Sequence, residues 1–302
     1  MLTPEIQAVL DEMNAALGPP AHELPVEQAR INHADEAARL CGQGEPVAEV
    51  RDVRVGEVPV RIFRPEGAGP LPVVAYLHGG GWMMGTLDSY DSLLRALANA
   101  SGAIVAGIDY RLSPEHRFPA ALEDSLAAIR WLIEHAGELG GEGARLAVAG
   151  DSAGGNLAAV AARRLRGAVR FQALIYPVIE PAFDTPSYRE FAEGHGLSRP
   201  SMERFWRLYL DGADPRHPDA TPLRADGLSD LPPAYVLTAE EDVLRDEGEA
   251  YAEALRAAGT PTELVRWPGT IHGFFRWLAV APAAREAVDA VAARLRDALA
   301  TQ

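Results

Sequence analysis

Apolar residues recur with a helical period at the start of the chain. Ile6, Val9, Leu10, Met13 and Leu17 fall on one face, and Gly18, Pro19 and Pro20 end the run. A second helical stretch is predicted from Pro25 to Leu40, stopped by Gly42, Gly44 and Pro46. From Val50 the period changes to two: Val53, Val55, Val58, Val60, Ile62 and Phe63 flank Gly56-Glu57, the pattern of an antiparallel hairpin. Short apolar runs then alternate with longer helical ones. The runs Val73–Leu77, Ala103–Ile108, Leu146–Ala149, Phe171–Tyr176, Ala234–Thr238 and Glu263–Trp267 predict strands. Helices are predicted over Ser89–Ala100, Pro119–Ala136, Ala153–Arg166, Asp246–Ala258 and Pro282–Leu299. Strands alternating with helices imply an α/β fold with a mostly parallel sheet covered on both faces.

The alternation breaks between Pro181 and Arg224, where prolines are frequent and the only strong periodic segment is the aromatic helix SMERFWRLYL. An insertion of this length between strands is usually functional and often a lid. The chain therefore divides into residues 1–45 as an appendage to the sheet, 46–180 as core, 181–224 as the insertion and 225–302 as core, one domain overall.

Composition narrows the possible chemistry. The 302 residues hold 43 acidic and 28 basic side chains, a formal charge of −15, which disfavours nucleic acid and anionic membranes as partners and favours small neutral ligands. All the basic residues are arginine. A Schiff-base or Walker lysine is thus excluded, and the lysine-free, arginine- and alanine-rich composition points to a GC-rich bacterial genome. Cys41 is the only cysteine and is read as a small buried residue, so no internal disulfide is expected. The first residues carry early acids and no continuous apolar run, and no window reaches the roughly 18 apolar residues of a spanning helix. A cytoplasmic protein, with a homodimer as an open option, is the expectation.

Two glycine-rich turns carry the chemistry. Gly150-Asp151-Ser152-Ala153-Gly154 fits G-x-S-x-G between a predicted strand and a predicted helix, a sharp turn that exposes the serine hydroxyl. Without that context it would be a glycine turn with a helix-capping serine. His78-Gly79-Gly80-Gly81 follows another strand and brings backbone N–H groups close to a substrate; Gly79, Gly80 and Ala153 are the expected donors of an oxyanion hole. A serine nucleophile needs a base and an orienting acid, in the chain order serine, acid, histidine. Of the histidines after Ser152, His195 and His217 lie in the insertion, whereas His272 follows the last strand. The acid should leave the preceding strand, which favours Asp242, with Asp246 and Glu241 in reserve. Nothing in the pattern calls for a metal or cofactor. Phe205, Trp206 and Tyr209 of the aromatic helix, with Trp82, are candidates for the substrate pocket, ordinary cap packing being the alternative. Arg163, Arg164, Arg166 and Arg170 suit a solvated helix end, and Asp109-Tyr110-Arg111 suits a buried polar bridge beneath the glycine loop.

These segments resemble the hormone-sensitive lipase family of esterases, bacterial esterase family IV. Its HGGGW block is matched at His78–Trp82, with Gly85 and Asp91 following, and its GDSAGG block at Gly150–Gly155. Asp109 to Asp124 is similar to another block and departs at Ser113, where alanine is common. Asp242 to Gly248 resembles the DPLRDEG block with Val243 in place of proline, which carries the family's acid to Asp242. The resemblance implies an α/β-hydrolase fold with an eight-stranded sheet and a helical cap, and a serine carboxylesterase acting on short acyl chains. A deacetylase or an arylformamidase would use the same groups. The plant gibberellin receptor, a ligand-binding relative, lacks the histidine that is present here as His272.

Overall fold

The computed structural model describes residues 1–15 and 19–300. Leu17 and Gly18, expected at the end of the first helix, lie outside the described residues. The chain opens with α1 (Pro4–Ala15) and α2 (Val26–Leu40), followed by the hairpin β1 (Glu49–Val55) and β2 (Val58–Arg64). Then come β3 (Leu71–Leu77), α3 (Leu87–Ser101), β4 (Ile104–Ile108), α4 (Ala120–His135), β5 (Gly141–Asp151), α5 (Ala153–Arg164) and β6 (Phe171–Ile175). The insertion contributes α6 (Pro186–Glu190) and α7 (Arg199–Leu210), and β7 (Ala234–Glu241), α8 (Arg245–Ala257), β8 (Thr262–Ile271) and α9 (Pro282–Leu299) complete the fold.

The eight strands form one sheet in the order β1-β2-β4-β3-β5-β6-β7-β8. β1–β2 and β2–β4 are antiparallel, and every other pairing is parallel. Alternation along β3 explains the two layers of helices. Val73, Ala75 and Leu77 face a core shared with α4, α5 and α8, whereas Val74 and Tyr76 face one shared with α3 and α9. Helix ends obey local rules: Thr86 accepts the Ser89 amide at 3.1 Å to start α3, and Gly102, at φ 66°, stops it.

β3, β4 and β6 match the apolar runs within two residues, but β5, β7 and β8 are longer than predicted. β5 begins at Gly141 because Gly141 pairs with Leu71 across a register shift, and β8 continues to Ile271 by pairing with Glu241. Backbone pairing, not side-chain pattern, sets those ends.

The topology places the chemistry. From β3 the chain crosses to β4 on one side and then over to β5 on the other, so the carboxyl ends of β3 and β5 flank a switch point, the usual ligand crevice of an open α/β sheet. Leu77 pairs with Gly150, which brings the loop after β3 beside the turn after β5. Glu241 pairs with Ile271, which puts Asp242 next to His272. Among the described residues no helix is long and apolar enough to cross a membrane.

Candidate active site

Ser152 stands where β5 ends and α5 begins, with φ 55° and ψ −119°, a conformation strained for a residue with a side chain. Such strain needs close support, and the flanking glycines provide it. A Cβ on Gly155 would lie 2.9 Å from Pro177, and one on Gly154 would strike the backbone of β3. Ser152 is the residue before the first turn of α5, yet its side chain caps no helix amide. Its Oγ instead lies 3.0 Å from His272 Nε2, and His272 Nδ1 lies 2.7 Å from Asp242 Oδ2. Asp242 is almost wholly buried, and its other oxygen accepts the Leu244 amide at 3.0 Å. The Tyr176 ring rests against the His272 ring with centroids 4.5 Å apart. The reserve acids are occupied elsewhere: Asp246 accepts the Ser187 amide and Glu241 faces His195 at 3.1 Å. His217 packs edge-on against Phe118.

The serine hydroxyl is not open to solvent as the turn alone suggested. Ser152 is 6% exposed because the two N-terminal helices and the insertion close over it. What remains is a cavity of about 190 Å³ that contains Ser152 and His272 beneath Met13, Ala21, His33 and Phe205. A larger cleft of about 740 Å³ shares Met13, Ala21 and Glu36 with it and leads outward between α1 and α2.

The glycine loop requires one correction. The Gly79 amide is already bonded, to Tyr90 Oη at 2.8 Å and Asp151 Oδ1 at 3.0 Å. Gly80 and Gly81 both line the cavity, and among the described residues neither amide has a protein acceptor. Both are held where only glycine fits: at Gly80 φ is 109°, and at Gly81 a Cβ would lie 2.5 Å from the Phe205 ring. Among the described residues these two amides have no acceptor where that of Gly79 has two; Ala153, the other expected donor, opens α5 next to Ser152.

Gly79 is instead the anchor of the loop, through residues the sequence did not single out. Asp151, the buried residue before Ser152, accepts Tyr76 Oη and Tyr90 Oη, each at 2.9 Å, besides the Gly79 amide. Burial raises the Asp151 pKa, while Arg276 and the two tyrosine hydroxyls oppose that shift. His78 is neutral, its pKa pushed down to about 4 by burial, and its Nδ1 donates to the Gly79 carbonyl at 2.8 Å. Tyr110 donates to the His78 carbonyl at 2.6 Å and stacks on its ring, as the bridge reading of Asp109-Tyr110-Arg111 anticipates; Arg111 pairs with Asp124 of α4. Of the three residues that hold the Gly79 amide and its acceptors, Asp151, Tyr76 and Tyr90, only Asp151 lies in a motif, the GDSAGG block.

Trp82, Trp206 and Tyr209 are not in the cavity. Trp82 stacks on Tyr209 with centroids 4.1 Å apart and meets Trp206 at 4.8 Å, all buried between α7 and the core. One face of α7 carries Met202, Trp206 and Tyr209 inward, and Phe205, one position round the helix, reaches the cavity and covers Gly81. Arg163 and Arg164 pair with Asp219, Arg166 with the Gly227 carbonyl and Arg170 with the Ala144 carbonyl. Cys41 is buried, and burial pushes its thiol pKa up. Among the described residues no group of three His, Cys, Asp or Glu is placed to hold a metal ion.

Residues 74–276 match a family described as having the alpha/beta hydrolase fold. The chain is 45% identical over 294 residues to a carboxylesterase of Mycobacterium tuberculosis, covering 92% of this chain and 91% of that one. It is 36% identical over 316 residues to an ethyl acetate hydrolase of Pseudomonas putida, covering 99% of each. Among solved structures, a thermostable esterase from Pseudomonas putida superposes with a TM-score of 0.94 at 38% identity, covering 100% of this chain and 98% of that one.

Proposed function

The chain belongs to the α/β-hydrolase fold family, among its hormone-sensitive-lipase-like esterases, and from that premise we propose that it is a carboxylesterase hydrolysing short-chain esters through Ser152, His272 and Asp242. The observation that carries this reading is the unbroken chain of contacts Ser152 Oγ, His272 Nε2, His272 Nδ1 and Asp242 Oδ2, at 3.0 and 2.7 Å, opening into a cavity. A serine hydroxyl is a weak nucleophile at neutral pH and needs such a base.

His272 Nε2 takes the proton from Ser152 Oγ as that oxygen attacks the ester carbonyl. The tetrahedral oxyanion is held by the amides of Gly80, Gly81 and Ala153, each donor contributing on the order of a hundred- to a thousand-fold in rate. His272 then protonates the departing alcohol, and water, activated by the same nitrogen, releases the acid from Ser152. Asp242 accepts the Nδ1–H bond throughout, which fixes the imidazole tautomer and stabilises its charged form without taking the proton.

A cavity of about 190 Å³ with Phe205 in its lining favours small acyl groups, and the ethyl acetate hydrolase among the relatives fits that size. The test is hydrolysis of p-nitrophenyl esters from acetate to palmitate by wild type and Ser152→Ala. Activity should peak at short chains and fall by about a million-fold in the variant. A wild type no faster than Ser152→Ala would overturn the reading.

A further inference from the structure

The cavity around Ser152 is chemically mixed. Met84, Leu197 and Phe205 contribute apolar surface, while His33 and Glu36, both on α2, bring polar atoms to the lining. The two stand three residues apart and so share a helix face. Neither has a part in the hydrolytic steps, and both are half-buried, so a ligand that displaces water from them must supply the hydrogen bonds that water made.

Glu36 is half used. Its Oε1 accepts Arg276 Nη2 at 3.0 Å and Trp277 Nε1 at 3.4 Å, and its Oε2 accepts no hydrogen bond from the described residues. His33 makes no hydrogen bond with any described residue; its ring lies over Tyr90 with centroids 6.5 Å apart. Burial, reinforced by the charge of Arg276 and by His78, holds the His33 pKa well below the usual value. At neutral pH it is therefore an uncharged imidazole with one donor and one acceptor nitrogen.

The ligand group that matches this pair is a hydroxyl, which can accept from the imidazole and donate to the carboxylate, or donate to the bare ring nitrogen. A carboxylate would add negative charge beside Glu36 and Asp151, an ammonium would meet the Arg276 guanidinium, and an alkyl group would leave both polar groups unpaired. Building on the esterase reading above, we propose that His33 and Glu36 form a hydroxyl-binding subsite in the catalytic cavity, so that of two esters equal in size the hydroxylated one is preferred.

The test uses the full chain and two matched pairs: p-nitrophenyl 3-hydroxybutanoate against the butanoate for a hydroxyl on the acyl side, and glycerol monobutyrate against propyl butyrate for one on the alcohol side. Rates are divided by those of hydroxide to remove intrinsic reactivity. Wild type should favour the hydroxylated ester in kcat/KM by about tenfold in one of the pairs, the worth of one good hydrogen bond. The ratio should collapse towards one in His33→Phe, which keeps the ring over Tyr90, and survive in part in His33→Gln, which keeps a donor and an acceptor. A ratio near one in both pairs for wild type, or a preference undiminished in His33→Phe, would overturn the subsite while Ser152-dependent hydrolysis of the plain esters stood. Absence of turnover above the Ser152→Ala background on every ester would bring down the esterase reading and the subsite together.

Discussion

Replacing Gly80 by alanine separates the oxyanion assignment from mere integrity of the fold. Gly80 has φ 109°, a region that side chains avoid, and an added Cβ would sit 2.7 Å from the carbonyl carbon of Met84 and nearer still to its oxygen. The obstacle is backbone, and it cannot step aside, because the Met83 and Met84 amides donate back to the Gly80 carbonyl at 3.1 and 2.9 Å and close the turn. The whole turn must rotate and carry the Gly80 and Gly81 amides off their line. Losing one donor costs on the order of a hundred- to a thousand-fold in kcat, whereas backbone strain of this kind costs roughly 1–3 kcal/mol of stability. KM should change little, since the interaction exists only in the transition state. The assay is steady-state hydrolysis of p-nitrophenyl butyrate together with thermal unfolding, with Gly137→Ala as control because nothing lies within 4 Å of its added Cβ. A folded Gly80→Ala enzyme with kcat within a few-fold of wild type would refute the reasoning.

Asp242→Asn should lower kcat by about ten-thousand-fold, by leaving His272 in the wrong tautomer, with little loss of melting temperature; a loss below tenfold would shift the acid elsewhere. Glu247 is buried with a pKa well above the usual carboxyl value, its Oε1 accepting the Ile179 amide at 2.6 Å. A raised folded pKa means the folded state holds its proton longer than the unfolded chain, so this contribution to stability is present below the unfolded pKa and is lost as pH rises through the folded one. Glu247→Gln should therefore lose less melting temperature than wild type between about pH 5 and pH 9, and parallel curves would contradict that. Phe205→Ala should move the optimum acyl length upward by opening the cavity above Gly81, as read from the p-nitrophenyl ester series. Trp206→Ala, which empties a buried site, should cost about 3–5 kcal/mol in denaturant unfolding instead, and equal effects of the two on chain length would place the pocket wrongly.

The order of strands and helices was legible because each apolar run of the sheet is short and each helix amphipathic. Ser152, Asp242 and His272 stood out because loops at strand ends face the crevice, and the register of β7 with β8 then brings the last two together. What escaped sequence reading depends on direction. The period of α7 shows Met202, Trp206 and Tyr209 on one face, but only the packed structure shows that this face meets Trp82 while Phe205 meets the cavity. Three consecutive glycines look alike in sequence, and Gly79 differs from Gly80 and Gly81 only because Asp151 and Tyr90 capture its amide. His33 and Glu36 lie some 120 residues from Ser152 in a helix that carries no motif, so their place in the cavity comes from how α2 docks.

The central claim is that Ser152 becomes covalently acylated. Mass spectrometry of intact protein quenched during turnover of p-nitrophenyl butyrate, followed by peptide mapping, tests it directly. The expected result is a gain of one butyryl group on the peptide carrying Ser152, absent from Ser152→Ala and persisting longer in variants slowed at deacylation. Turnover that continues at the wild-type rate in Ser152→Ala, or an acyl group mapped to another residue, would contradict it.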